Sequence, residues 1–167
     1  KVAVLYGTGD PYSSGVGKAF VAAAKQAGLQ VVAEENSSST DDTEYSSQLQ
    51  KIEASGAEFL YAPYYYSAVG PYIVPQARSV GYDGYIMGPD GYDGLKTTGN
   101  KARYDKVLYT THYSPDDKSN KKVQRFITSY KAANNGESPN TFTALGYDSV
   151  YMFKQAIEQA GEHATRT

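Results

Sequence analysis

Short apolar runs alternate regularly with longer segments of helical periodicity, and this alternation limits the fold more than any other property of the chain. The apolar runs occupy residues 1–6, 29–35, 57–63, 84–88 and 106–113. Short, β-branched runs are typical of strands in a parallel sheet, where each connection must cross over through a helix. The sequence therefore predicts an α/β fold in which an open, doubly wound parallel sheet carries helices on both faces.

Capping and breaking residues mark the helices between these runs. Ser13 or Ser14 is predicted to cap the first helix, which Gly28 ends. Pro71 and Pro75 predict a kinked or delayed start for the helix after the third strand. No repeat or linker interrupts the pattern, which corresponds to one flavodoxin-like or Rossmann-like lobe over residues 1–167.

Ligands of open parallel sheets bind at the carboxyl ends of the strands. The loops to consider are therefore residues 7–14, 63–67 and 88–94. The first of them, GTGDPYSSG, has Tyr12 where the dinucleotide fingerprint requires its third glycine, and it has no phosphate-binding lysine. Anion binding at a helix start remains an alternative for this loop, and simple capping is the alternative for its serines.

The second loop contains three successive tyrosines, Tyr64, Tyr65 and Tyr66. Three neighbouring side chains cannot all point into one core, so at least one is expected at the ligand edge. We expect Tyr66 there because it lies furthest along the loop, whereas Tyr64 or Tyr65 in a packing role is the alternative. Tyrosine is abundant in this chain, with 17 copies and no tryptophan, and it suits binding surfaces.

The third loop, GPDGYDG, places Asp90 between Gly88 and Gly91, where the backbone can turn sharply. A carboxylate at this edge would attract a cationic group such as an ammonium through charge-assisted hydrogen bonds. An aspartate that bonds only to its own turn is the alternative for Asp90, and Asp93 is expected to be solvated.

Composition excludes several classes of function. The net charge of -2 gives no attraction to nucleic acid, and no apolar run reaches the roughly 20 residues of a membrane span. The absence of cysteine excludes disulfides, thiolate catalysis and cysteine-based zinc sites. His112 and His163 lie far apart in sequence, so neither a metal site nor a histidine-dependent catalytic group is expected. We predict a protein without a cofactor that is not an enzyme.

The three loops, taken together with RSVGYDGYIMGPDGYDG, TTHYSPDD and ALGYDSVYMFKQAIEQAG, resemble the leucine/isoleucine/valine-binding family of bacterial extracytoplasmic solute receptors, the type I periplasmic binding proteins. Members of this family have two similar α/β lobes that close on a ligand by a hinge motion. The chain resembles the second lobe only, and its start at Lys1, directly in a strand, suggests a processed or excised piece.

The resemblance implies roles for particular residues. Tyr12 in DPYSSG and Tyr66 in YAPYYYSAVG match aromatic residues that line the cleft, and Asp90 matches the acidic residue that takes the ligand's α-ammonium. Further candidates for lining the cleft are Asp10, Ser13, Tyr65 and Tyr92. The groups that hold the α-carboxylate belong to the first lobe, so half of the expected site is missing.

The leading hypothesis is a receptor lobe that binds an amino acid, branched-chain or related, for a membrane permease of an ABC importer. The parent protein would be extracytoplasmic, in the periplasm or at the bacterial cell surface, and its partners would be the ligand, the first lobe and the permease. The isolated lobe is expected to bind weakly or undetectably, and apolar surface exposed where the first lobe would pack favours self-association. The alternatives are an aromatic acid or other small solute as ligand, an isolated or engineered lobe without a ligand, and a flavodoxin-like enzyme that uses a nucleotide or phosphate.

Overall fold

The structure is a computed structural model that describes residues 1–97 and 99–161. It divides into two compact units, Lys1–Thr110 and Thr111–Thr167. The expectation of a single lobe over residues 1–167 stays a prediction.

A five-stranded sheet forms the centre of the first unit. Its strands are β1 (Val2–Gly7), β2 (Val31–Ser37), β3 (Phe59–Tyr61), β4 (Tyr85–Gly88) and β5 (Val107–Tyr109). Every pairing is parallel, and the strand order is β2-β1-β3-β4-β5. The predicted α/β fold with a parallel sheet is confirmed, although β3 and β5 are shorter than the predicted runs at 57–63 and 106–113.

Helices lie on both faces of this sheet, as the sequence predicts. The helices of the first unit are α1 (Pro11–Gln26), α2 (Ser46–Ala54), α3 (Tyr66–Ala68) and α4 (Val74–Ser79). Val21 of α1 packs with Val4 and Tyr6 on one face. Leu49 of α2 and Val74 of α4 belong to the larger core on the other face, where the alternate strand residues point.

The segment between β3 and β4 is irregular where the two prolines lie. A π-helical turn, Val69–Ile73, separates α3 from α4 and contains Pro71, while Pro75 lies in the first turn of α4. Proline has no N–H group to donate to the preceding turn, so a regular helix cannot run through Pro71. The predicted kink or delay is therefore confirmed.

The start of α1 corrects the predicted cap. The N-cap is Asp10, whose Oδ1 accepts a hydrogen bond of 2.6 Å from the Ser13 backbone N–H. Pro11 takes the first helical position, where its fixed φ suits the helix and its missing N–H costs nothing. Ser13 and Ser14 therefore lie inside the first turn, and the capping role moves to the residue before Pro11.

The described part of the second unit, up to residue 161, contains the helices α5 (Lys121–Ala133) and α6 (Thr141–Ala160). Asn120 and Asn140 cap them through their side-chain oxygens. The ring of Phe126 lies 4.8 Å from that of Tyr147 between centroids. In α6 the apolar side chains of Val150 and Phe153 are exposed.

Across the described ranges, no helix is both long enough and apolar enough to cross a membrane.

Candidate functional site

The three loops that the sequence singled out meet at the carboxyl edge of the sheet. Tyr12, in the first turn of α1, donates a hydrogen bond of 2.8 Å from its hydroxyl to Oδ1 of Asp90, which follows β4. The ring of Tyr12 stacks on that of Tyr65, which follows β3, with centroids 5.3 Å apart and planes inclined by 22°. The candidate site therefore consists of Tyr12, Tyr65 and Asp90, one residue from each loop.

The hydroxyl of Tyr12 is held by two partners. It donates to Asp90, and it accepts a hydrogen bond of 3.1 Å from the backbone N–H of Gly91. Burial and the hydrogen bond to Asp90 both raise the pKa of Tyr12 above its ordinary value. Tyr12 therefore stays protonated at neutral pH and keeps donating to the carboxylate.

Gly91 is required by the closeness of the loops. A Cβ at this position would lie 2.6 Å from the carbonyl oxygen of Tyr64 and 3.1 Å from the hydroxyl of Tyr12. Contacts this short are not compatible with a side chain, so only glycine lets the loop after β4 approach the loop after β3. The same approach brings the Gly91 N–H to Tyr12.

The carboxylate of Asp90 is partly buried, and within the described residues no lysine, arginine or histidine pairs with it. Its negative charge also acts on Tyr61 of β3, whose pKa is raised first by burial and then by Asp90. Tyr61 is a neighbour that sequence reasoning missed, because it belongs to a strand and not to one of the loops. A partly buried carboxylate without a paired cation favours a cationic hydrogen-bond donor as its ligand.

Asp10 adds a second carboxylate to the same edge. Its Oδ1 caps α1, while its Oδ2 lies 3.5 Å from the hydroxyl of Tyr65, at the limit of a hydrogen bond. Burial is the first cause that raises the pKa of Tyr65, and the charge of Asp10 is the second. Asp10 therefore orients Tyr65 in addition to capping the helix.

Two of the predicted cleft residues are buried and do not line an open surface. The hydroxyl of Tyr92 donates a hydrogen bond of 2.7 Å to the carbonyl oxygen of Ala62, and its ring is fully buried. Ser13 is also fully buried, and its Oγ accepts a hydrogen bond of 2.9 Å from the Gly7 N–H. The expectation that Tyr92 and Ser13 line the cleft is corrected, because both side chains are buried and stabilise the loops through hydrogen bonds to the backbone.

The three tyrosines after β3 have different environments. Tyr64 is fully buried and shares a hydrogen bond of 2.8 Å with Ser37, so it is a packing residue. Tyr65 stacks on Tyr12, whereas Tyr66 is 43% exposed at the start of α3. The structure brings Tyr65 to Tyr12, and a ligand contact for Tyr66 stays a prediction.

Metal-binding side chains do not cluster in the part of the chain that the structure describes. No group of three or more histidine, cysteine, aspartate or glutamate residues there has the arrangement of a metal site. His112 belongs to the second unit, and His163 lies outside the described residues.

Comparison with known proteins places this geometry in a family. The model of the family described as periplasmic binding protein matches residues 1–167. A leucine-, isoleucine-, valine-, threonine- and alanine-binding protein of Pseudomonas aeruginosa is 26% identical over 163 residues, which are 96% of this chain and 42% of the relative. A Leu/Ile/Val-binding protein homolog of Brucella melitensis is 29% identical over 164 residues, which are again 96% of this chain and 42% of the relative.

Solved structures show the same likeness. The leucine-binding protein LivK of Thermotoga maritima has a TM-score of 0.79 and 30% identity, over 95% of this chain and 45% of that one. LivJ of Streptococcus pneumoniae, in complex with isoleucine, has a TM-score of 0.73 and 28% identity, over 90% of this chain and 42% of the LivJ chain. The chain thus spans less than half the length of these relatives. Because the family model matches the whole sequence, the chain belongs to the periplasmic binding protein family.

Proposed function

We propose that the chain supplies one half of an amino-acid binding site in the receptor of an ABC importer. Asp90 would accept the ligand's α-ammonium, while Tyr12 and Tyr65 would pack against the rest of the ligand. The observation that carries this proposal is the 2.8 Å hydrogen bond by which Tyr12 orients the Asp90 carboxylate. The amino-acid-binding relative from Pseudomonas aeruginosa and the isoleucine complex of LivJ support a ligand of this class.

The charge of the edge supports an ammonium over an anion. Asp10 and Asp90 both lie there, linked through Tyr65 and Tyr12. The start of α1, which would otherwise attract a phosphate, is already capped by the Asp10 carboxylate. A nucleotide or phosphate enzyme is therefore the less favoured function.

The remainder of the receptor function lies beyond the residues of this chain. The ligand's α-carboxylate would be held by the first lobe. The closed receptor would act outside the cytoplasm and deliver the ligand to a permease in the membrane. A ligand that rests on one lobe keeps much of its surface in water, so we expect the chain alone to bind in the millimolar range, about 4 kcal/mol.

Nuclear magnetic resonance tests this assignment on the chain itself. Adding L-leucine should shift the backbone amides of Tyr12, Tyr65 and Asp90, and Asp90→Asn should remove most of these shifts. Asp93→Asn is the matched control, because it makes the same charge change in the same loop and should leave the shifts in place. Leucine shifts that survive in Asp90→Asn, or a well-dispersed spectrum without any shift, would contradict the proposal.

An aromatic solute is the second candidate, and the stacked Tyr12–Tyr65 pair is the observation that favours it. Aromatic ligands extend such stacks. Phenylalanine and benzoate distinguish the two candidates, since only phenylalanine has an ammonium for Asp90. Benzoate that shifts the same amides as strongly as phenylalanine would favour the aromatic acid.

A further inference from the structure

Two pairs of a tyrosine and a carboxylate lie side by side at the candidate site. Tyr12 donates to Asp90 over 2.8 Å, and the hydroxyl of Tyr65 lies 3.5 Å from Oδ2 of Asp10. The two tyrosine rings stack, so both pairs belong to one surface. The α-ammonium of an amino acid needs only one carboxylate, which leaves the negative charge around Asp10 without an assigned ligand group.

The loop after β2 lies directly against the loop that carries Asp10. The backbone N–H of Gly9 donates a hydrogen bond of 3.0 Å to the carbonyl oxygen of Ser38. A Cβ at Gly9 would lie 2.6 Å from the same oxygen, so only glycine permits this approach. The acidic residues of the loop after β2 are therefore neighbours of the candidate site.

Tyr65 is the side chain on which these charges converge. Burial is the first cause that raises its pKa, and the charges of Asp10, Asp90 and Asp41 all raise it further. Asp41 belongs to the loop after β2. A ligand that rests on Tyr65 thus lies within the field of three carboxylates, one from each of three loops.

A small pocket opens between the loop after β2 and the segment after β3. We call it the acidic pocket; it has a volume of about 140 Å³ and is lined by residues 40–43, Ser67, Ala68 and Tyr72. Asp41 and Asp42 supply two carboxylates, and the lining contains no lysine, arginine or histidine. Within the part of the chain that the structure describes, no cationic side chain pairs with either carboxylate.

A buried hydroxyl next to the acidic pocket has no partner. Tyr45 is fully buried, and its hydroxyl makes no hydrogen bond to any described residue. Its ring belongs to the core against which Ala68 and Tyr72 of the pocket lining pack. Burial first raises the pKa of Tyr45, and the charges of Asp42 and Asp41 raise it further, so the hydroxyl lies close to these carboxylates. An unpaired buried hydroxyl destabilises the free chain, and a polar group in the pocket would satisfy it.

We propose that the acidic pocket receives the cationic side chain of the bound amino acid, so that the ligand class is amino acids such as lysine, ornithine and arginine. This inference rests on the proposed amino-acid site. The α-ammonium binds Asp90, the methylene groups of the side chain lie over Tyr65, and the terminal cation reaches Asp41 and Asp42. An apolar side chain would remove water from these carboxylates and offer no hydrogen bond in return.

Titration of the chain with L-lysine and L-norleucine tests the ligand class. Both have an unbranched four-carbon side chain, and only lysine carries a terminal ammonium group on it. At neutral pH and low ionic strength, where screening is weak, lysine should bind about fivefold more tightly. In nuclear magnetic resonance spectra both ligands should shift the amides of Tyr12, Tyr65 and Asp90, and lysine alone should also shift those of Asp41 and Ser67.

Variants of the acidic pocket locate the preference. Asp41→Asn, alone and combined with Asp42→Asn, should lower the affinity for lysine toward that for norleucine and leave norleucine binding unchanged. Asp41 is exposed, so its substitution should preserve the fold. Glu44→Gln is the matched control, because Glu44 is an exposed acid of the same loop that does not line the pocket. It should keep the lysine preference.

The outcomes separate this inference from the function on which it rests. Equal affinities for lysine and norleucine, with shifts at Asp90 for both, would overturn the cationic ligand class and leave the amino-acid site standing. A lysine preference that survives in the double variant, or that is lost in Glu44→Gln, would also overturn it. A well-dispersed spectrum in which neither ligand shifts Tyr12, Tyr65 or Asp90 would contradict the proposed function and the inference together.

Discussion

The hydroxyl of Tyr12 lies 2.8 Å from Oδ1 of Asp90, although the two residues are 78 positions apart in the chain. This bond joins the first turn of α1 to the loop after β4 at the carboxyl edge of the sheet. It fixes the direction of a carboxylate that has no cationic partner in residues 1–97 and 99–161. Substitution of either partner, or of the glycine beside them, should therefore change both stability and binding.

Tyr12→Phe should lower the free energy of unfolding by about 1 kcal/mol, because Asp90 loses its donor and the Gly91 N–H loses its acceptor. Urea denaturation followed by circular dichroism measures this change. Tyr66→Phe is the control, since the Tyr66 hydroxyl has no hydrogen bond to a described residue. Equal stability of Tyr12→Phe and the unchanged chain would show that the bond contributes nothing.

Gly91→Ala should destabilise the first unit and disturb Asp90, because the new Cβ would lie 2.6 Å from the Tyr64 carbonyl oxygen. A loss of about 1 to 3 kcal/mol is expected from overpacking of this kind. Gly15→Ala is the matched control. Nothing lies within 4 Å of its added Cβ and it is inside α1, so it should stabilise by about 0.5 to 1 kcal/mol. Similar effects of both substitutions would be evidence against the close approach.

Arg78→Lys should loosen the amino ends of β4 and β5. The Arg78 guanidinium donates to four carbonyl oxygens, those of Tyr82, Gly84, Arg103 and Asp105. Lysine cannot reproduce this planar fork, and we expect a loss of about 2 kcal/mol. Hydrogen exchange of residues 101–106 should become faster. Arg103→Lys, at an exposed side chain, should leave the exchange unchanged, and unchanged exchange in Arg78→Lys would contradict the role.

Stability should fall in alkaline solution. Burial raises the pKa of Tyr92 well above its ordinary value, and burial raises those of Tyr12 and Tyr64 as well. The folded chain therefore holds these protons more tightly than the unfolded chain does. The stabilisation is fully present below a pH of about 10, the unfolded value, and is lost as the pH rises toward the folded values.

Tyrosinate absorbance checks this prediction. The absorbance change of the buried tyrosines Tyr12, Tyr64 and Tyr92 should appear only as the chain unfolds. A single titration of all tyrosines at a pH of about 10, with the fold retained, would contradict the burial of Tyr92.

The sequence is sufficient to predict the parallel sheet and the loops that meet at its edge, because both depend on local periodicity. It is not sufficient to choose among the three tyrosines after β3. Their neighbours are nearly identical, and the environment of each depends on where α3 begins, at Tyr66. Tyr64 is buried and shares a hydrogen bond with Ser37, so Tyr65 is the residue whose ring stacks on Tyr12.

The burial of Tyr92 escapes sequence reasoning for a related reason. Its ring lies against Gly88, where an added Cβ would be 2.1 Å from the ring atom Cε1. The missing side chain of Gly88 creates the space for this ring. In the sequence the same glycine is indistinguishable from a turn residue, so the pattern alone places Tyr92 at the cleft.

Recognition of an ammonium by Asp90 can be tested with two ligands that differ at the α-carbon, where one carries an ammonium group and the other a keto oxygen. The dissociation constants of L-leucine and of its keto acid, 4-methyl-2-oxopentanoate, are measured at neutral pH by nuclear magnetic resonance titration of this chain. A charge-assisted hydrogen bond of about 1.5 to 3 kcal/mol predicts that leucine binds at least about tenfold more tightly. Equal affinity, or tighter binding of the keto acid, would contradict this role of Asp90.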